Sequence, residues 1–213
     1  GTDGVGPVSE IDSRVKQHVV PVLRNPSPIK DLYGLFSLIR LLRKLRPRMV
    51  VLGTPKMGML GLLAAWILRV DRRVYILYGL RFEGASGVGR RILLFMEWLS
   101  MWCATEVIAL SESNKRVSIE LGLVPEKKIS VIGSGSIGGV DRSRFRPPTS
   151  TEKLLLRERF ELPADALVVG FLGRLVPDKG LAEMAKVWPV IHERKPDAWL
   201  LIVGPDETAN SSE

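Results

Sequence analysis

The residues best placed to do chemistry lie in Val168-Val169-Gly170-Phe171-Leu172-Gly173-Arg174-Leu175-Val176-Pro177-Asp178-Lys179-Gly180. An apolar strand runs into a turn bracketed by Arg174 and Lys179, and Gly180 opens the helical stretch Leu181-Ala182-Glu183-Met184-Ala185-Lys186-Val187-Trp188. A strand end, a turn and a helix start bring backbone N–H groups and two cations to one spot. Proteins hold anions this way, most often phosphate. The segment is neither a Walker loop nor a G-x-G-x-x-G dinucleotide fingerprint. On spacing alone, an ordinary strand-to-helix turn with two solvated cations is the alternative.

Three other loops follow apolar runs, and in parallel sheets ligands bind beyond the carboxyl ends of the strands. Gly53-Thr54-Pro55-Lys56-Met57-Gly58 holds Lys56 near a helix start. Tyr78-Gly79-Leu80-Arg81-Phe82-Glu83-Gly84 offers Arg81, which could pair with Glu83 or meet an anionic acceptor. In Gly133-Ser134-Gly135-Ser136-Ile137-Gly138-Gly139-Val140-Asp141, glycines let the backbone approach a ligand closely.

These four loops resemble, in order, the motifs of family 4 glycosyltransferases of the kind that build bacterial capsule, O-antigen and exopolysaccharide. G-R-L-V-P-D-K-G is similar to the G-R-L-x-x-x-K-G signature that opens the family's C-terminal domain. The resemblance implies that Arg174 and Lys179, with Gly173, grip the diphosphate of a nucleotide-sugar donor. It places Lys56, Arg81, Glu83, Gly135 and Ser136 in the acceptor-facing cleft loops. The chain departs from the family at three points. Gly53 and Tyr78 stand where His is usual, and Gly138 stands where Asn is usual. Tyr78 therefore falls at the catalytic-His position, where a phenol is suited to supplying a hydrogen bond rather than acting as a base near neutral pH.

The elements that must position these loops alternate. Leu32, Leu35, Phe36, Leu38, Ile39, Leu42 and Leu45 recur at helical steps, with Ser27 as cap and Pro28 at the first position. Strands are expected at 18–23, 49–53, 73–78, 106–110 and 129–132, and a helix capped by Ser111 ends at Gly122. Gly58, Gly61, Ala64 and Ala65 give one helix a surface for close approach. This alternation predicts an α/β fold of parallel sheets, and the resemblance makes it GT-B. A Rossmann-like domain spans 1–147, and 148–213 begin a second, whose single strand–helix–strand unit is incomplete. The break falls at Arg146-Pro147-Pro148-Thr149-Ser150-Thr151. Both ends read as cut, so the chain is expected to be an internal piece of a longer protein.

Composition narrows the partners. The 213 residues are 46% hydrophobic and 25% charged, with formal net charge +8, which suits phosphate-bearing ligands. No RNP-type aromatic signature, zinc-finger spacing or long basic helix points to nucleic acid. Cys103, the only cysteine, sits in an apolar run and reads as a core residue; His18 and His192 are the only histidines, so no metal site is expected. Residues 92–103 are apolar except Glu97 and Ser100, with Arg90 and Arg91 just ahead. The run is too short to span a bilayer. It reads as a helix buried between the sheet and its neighbours, with anionic lipid headgroups as the alternative use of the arginines.

The resemblance implies retaining, metal-free and cofactor-free transfer of a hexosyl group. The donor would be a UDP-linked nucleotide-sugar, and the acceptor a polyprenyl-diphosphate-linked or other glycan. The site would be cytoplasmic, peripheral on the inner face of the plasma membrane. The family's paired glutamates, seven residues apart, would lie beyond Glu213, so this piece alone is not expected to turn over. The alternative is a catalytically inactive nucleotide-binding or scaffold module of the same fold, favoured by the absent histidines. A nicotinamide-dependent oxidoreductase is disfavoured by the missing dinucleotide fingerprint.

Overall fold

The computed structural model describes residues 14–22, 27–136, 138–176 and 179–205. It divides into two compact units, one ending at Gly139 and the other starting at Val140. The Pro-rich stretch at 146–151 lies just inside the second.

The first unit runs α1 (Pro28–Leu45), β1 (Met49–Gly53), α2 (Pro55–Ile67), β2 (Arg72–Leu77), a 3-10 turn (Arg81–Gly84), α3 (Gly87–Cys103), β3 (Glu106–Ala109), α4 (Glu112–Glu120) and β4 (Ile129–Val131). The strands form one parallel sheet in the order β1-β2-β3-β4. All four carboxyl ends therefore reach the same edge.

Pro28 opens α1 as the spacing predicts, but Ser27 does not cap it with its side chain. Asp31 reaches back instead, its Oδ2 accepting the Ser27 N–H at 3.0 Å. A carboxylate in the first turn also complements the helix dipole, as Arg43 and Lys44 do in the last. Ser111 does cap α4, accepting from the Asn114 N–H at 3.1 Å. The strand expected at 18–23 does not form over residues 18–22, and Leu23 lies outside the described residues; Val22 is nonetheless buried, in a small cluster with Leu38, Leu60 and Ala64. Burial of that side chain needs no ladder partner, which is why a β-rich run of residues misleads here.

α2 carries only Lys56 as a charge and is apolar all round because it packs against α1, α3 and the sheet. Gly58 and Gly61 leave the room that the Tyr75 ring and Leu52 occupy. The main core gathers Leu62, Tyr75, Leu77, Met101 and Val107 between sheet and helices.

α3 is buried on one side only. Met96, Glu97, Ser100, Met101 and Cys103 face inward, whereas Ile92, Phe95, Trp98 and Trp102 face out. The expectation of a helix enclosed by its neighbours is thus half met, since spacings of three and four residues gather the aromatic side chains into an outer stripe.

The second unit comprises α5 (Ser150–Arg159), β5 (Leu167–Leu172), α6 (Leu181–Arg194) and β6 (Ala198–Val203). β5 and β6 pair in parallel from Leu167 opposite Ala198 to Leu172 opposite Val203. Thr149 and Glu152 form a capping box on α5, and Arg146 grips the Glu152 carboxylate at 2.7 and 2.9 Å.

Candidate functional site

Three of the four motif loops sit on the carboxyl edge of the first sheet. β1 ends at Gly53 and leads to Lys56, β2 ends at Leu77 and leads to Tyr78, Arg81 and Glu83, and β4 leads to Gly135 and Ser136. Parallel pairing brings these distant residues to one rim.

Lys56 does not stand open on that rim. Its Nζ lies 2.6 Å from Asp31 Oδ1, and both side chains are largely covered, at 12% and 16% exposure. Sequence reading missed Asp31, because no spacing rule pairs a first-turn carboxylate of one helix with the start of the next.

Gly53 pairs with Ile76 across β1 and β2, and Tyr78 is two residues further on, pointing to the same face. The Tyr78 ring fills the space that a side chain at position 53 would need. A Cβ on Gly53 would overlap Cε2 of that ring, with Cδ2 at 2.8 Å and the Ile76 carbonyl oxygen at 3.0 Å. Tyr78 remains half exposed at the rim. The two histidine replacements are therefore one packing unit.

Arg81 and Glu83 share the exposed 3-10 turn. Among the described residues no ion pair joins them. The charge of Arg81 acts instead on Glu97, a buried carboxylate on α3 that accepts a 2.7 Å hydrogen bond from the Tyr75 hydroxyl through Oε2. Burial pushes the Glu97 carboxyl up to about 7, against the opposing pull of the Tyr75 hydrogen bond and the Arg81 charge. The same burial, with the Glu97 charge beside it, drives the Tyr75 phenol well above its ordinary range. Among the described residues, Glu97 Oε1 has no hydrogen-bond partner.

The glycine loop is pinned to the strand beside it. The Leu110 carbonyl oxygen accepts the Ser136 N–H at 2.7 Å, and the Ile132 carbonyl oxygen accepts the Gly135 N–H at 3.0 Å. Gly135 has φ +84°, and a Cβ there would run into the Leu110 carbonyl. Both conditions exclude any other residue type without rearrangement.

In the second unit, Gly173, Arg174 and Lys179 follow β5. The Gly173 N–H is donated to the Val203 carbonyl oxygen and the Leu175 N–H to that of Pro205, both at 3.0 Å, which ties the loop to the end of β6. Arg174 and Lys179 are exposed on either side of the turn. Gly180, at φ +74°, starts α6, and among the described residues no side chain caps it, so the helix presents its first-turn N–H groups as an anion site would. Glu183 lies close by, its Oε2 3.8 Å from where a Gly180 Cβ would be. Pro177 and Asp178 of the signature lie outside the described residues.

The glycosyl transferase 4-like domain matches residues 2–135. A capsular polysaccharide biosynthesis glycosyltransferase, CapM of Staphylococcus aureus, is 37% identical over 195 residues, covering 91% of this chain and 50% of its own. A UDP-Gal:alpha-D-GlcNAc-diphosphoundecaprenol alpha-1,3-galactosyltransferase of Escherichia coli is 33% identical over 213 residues, covering 96% of this chain and 53% of its own. The chain thus spans about half the length of these relatives. Among solved structures, Anabaena HepE in complex with UDP and glucose superposes with a TM-score of 0.64 at 20% identity, over 82% of this chain and 44% of that one. The fold is accordingly the α/β, GT-B type expected from the motifs. With four strand-end loops in family order and a matched domain covering most of the first unit, the chain belongs to the family 4 glycosyltransferases.

Proposed function

We propose that the protein containing this chain transfers a hexosyl group from a UDP-linked donor to a lipid-linked glycan acceptor in cell-surface polysaccharide synthesis. The observation that carries this reading is the exposed pair Arg174 and Lys179 on the turn between β5 and the start of α6. That arrangement suits a diphosphate. One guanidinium, one ammonium group and a helix N-terminus would stabilise the departing nucleotide diphosphate, an effect commonly worth a few kcal/mol per donor. No cofactor or metal enters this reading. Tyr78, with Arg81, Glu83, Gly135 and Ser136, would line the acceptor side, and Tyr78 would contribute its hydroxyl as a hydrogen-bond donor rather than a base. Retention of configuration, and a place on the inner face of the plasma membrane, are part of the same proposal. The relatives support it: one is named for capsule synthesis, the other for a UDP-galactose donor and a diphosphoundecaprenol-linked acceptor.

Calorimetric titration of UDP into the chain tests the donor half. Arg174→Ala and Lys179→Ala should each weaken binding roughly tenfold, the loss of one charge-assisted contact. UDP affinity unchanged in both variants would remove Arg174 and Lys179 from the donor site. An inactive nucleotide-binding module is the second reading, favoured by the Gly53–Tyr78 packing. It predicts UDP binding with no sugar released from any UDP-sugar by the whole protein.

A further inference from the structure

We propose that the outer stripe of α3, continued by Trp66 of α2, is a docking surface for an anionic lipid bilayer. Beyond Arg91 every exposed residue of α3 is apolar: Ile92, Phe95, Trp98 and Trp102. A helix facing water ordinarily carries polar residues there. The rings also touch one another in series. Phe95 and Trp98 centroids are 5.9 Å apart, Trp98 and Trp102 are 6.3 Å apart, and Trp102 and Trp66 are 5.1 Å apart. Each of the three tryptophans nonetheless keeps more than 40% of its surface exposed. Tryptophan prefers the boundary between hydrocarbon and water, where its ring is covered and its N–H stays wet.

Charge complementarity selects the partner. The only exposed charges on α3 are Arg90 and Arg91, in its first two turns, where they oppose the helix dipole. Arg90 also lies over the Phe82 ring, its Cζ 5.7 Å from the centroid, and both arginines suit lipid phosphates at the level of the stripe. At the opposite end, the last turn of α2 leads from Trp66 into a cavity of about 330 Å³. Arg43, Arg46, Arg48 and Arg69 line it, with Asp71 as the one acid. An aromatic ladder that follows arginines on the same helix is the pattern of a helix lying in the plane of an anionic interface. Among the described residues no helix is long and apolar enough to cross a membrane.

Co-sedimentation with vesicles tests this directly. The chain should pellet with phosphatidylcholine vesicles that contain phosphatidylglycerol, and much less with phosphatidylcholine alone. Arg90→Gln and Arg91→Gln should each lower partitioning roughly fivefold. The double change Trp98→Ser, Trp102→Ser should lower it about tenfold or more. Should that variant not fold, quenching by brominated lipids answers the same question. In a chain carrying Trp188→Phe and Trp199→Phe, emission from Trp66, Trp98 and Trp102 should be quenched by anionic vesicles. Equal partitioning of the parent and folded variants, or tryptophan emission that brominated lipid leaves intact, overturns the proposal. So does self-association without vesicles that the double tryptophan change abolishes, because the stripe would then be covered by a second copy. The donor loop plays no part in these readouts, so vesicle docking and UDP binding fail separately.

Discussion

The ring of Tyr78 occupies the volume that any side chain on Gly53 would need, although the two residues are 25 positions apart and belong to different strand ends. Each departs from the residue usual in the family, and the structure makes the two departures mutually dependent. Gly53→Ala should therefore destabilise the first unit by about 1–3 kcal/mol, the usual effect of overpacking. Adding Tyr78→Gly should recover much of that loss. A double-mutant cycle by urea unfolding measures the coupling; additive effects would mean that the ring moves aside without resistance. Tyr78→Phe should leave stability unchanged and, if the hydroxyl serves the substrate, reduce transfer alone.

Glu97 gives the fold a pH dependence of defined sign. Its carboxyl titrates near 7 when folded and at the ordinary 4.5 when unfolded. The folded state thus binds more protons between these values, and stability should fall as pH rises from about 4.5 to about 7. Glu97→Gln should flatten this slope, whose total is on the order of a few kcal/mol. Chemical denaturation at a series of pH values checks it; the same slope in parent and variant would assign the dependence elsewhere.

The Asp31–Lys56 pair joins α1 to the start of α2 with little water around it. Removing Asp31 takes away the carboxylate 2.6 Å from a largely covered ammonium group. Asp31→Ala should cost roughly 1–3 kcal/mol, less than a fully buried pair because water still reaches both groups. The double change Asp31→Leu, Lys56→Met should cost less than the single one. Thermal unfolding of both variants decides this, and a more stable single variant would refute it.

Gly135→Ala should be among the more damaging single changes in the first unit, on the order of 1–3 kcal/mol from its backbone conformation alone. The collision with the Leu110 carbonyl adds to that. Gly138→Ala offers a matched control: φ there is +79°, yet among the described residues nothing lies within 4 Å of an added Cβ. The difference in unfolding midpoint between the two variants isolates the contact from the strain.

Much of this architecture is legible in the residues. The helical spacing of Leu32 to Leu45, the Ser111 cap, Gly122 and the apolar runs before each motif all place elements within a residue or two of where they lie. Local chemistry dictates them, so local reading finds them. The relationships that give the rim its character are not local. Asp31 with Lys56, Tyr75 with Glu97 and Tyr78 with Gly53 arise only once strands are side by side. The outer stripe of α3 shows the limit most clearly. Counting apolar residues from 92 to 103 finds the helix, but only the packed structure says which of them α2 and the sheet leave uncovered.

Cys103, wholly inaccessible and with its thiol pushed up chiefly by burial, has a practical consequence. The thiolate is the reactive form, so maleimide reagents should pass this residue by. Because it is the chain's only cysteine, a cysteine introduced at the exposed Val88 or Tyr78 would be the one site that takes a fluorophore or spin label. This chain is thus already a cysteine-silent background, and position-specific reporters on its helix face or sheet rim need no prior substitution.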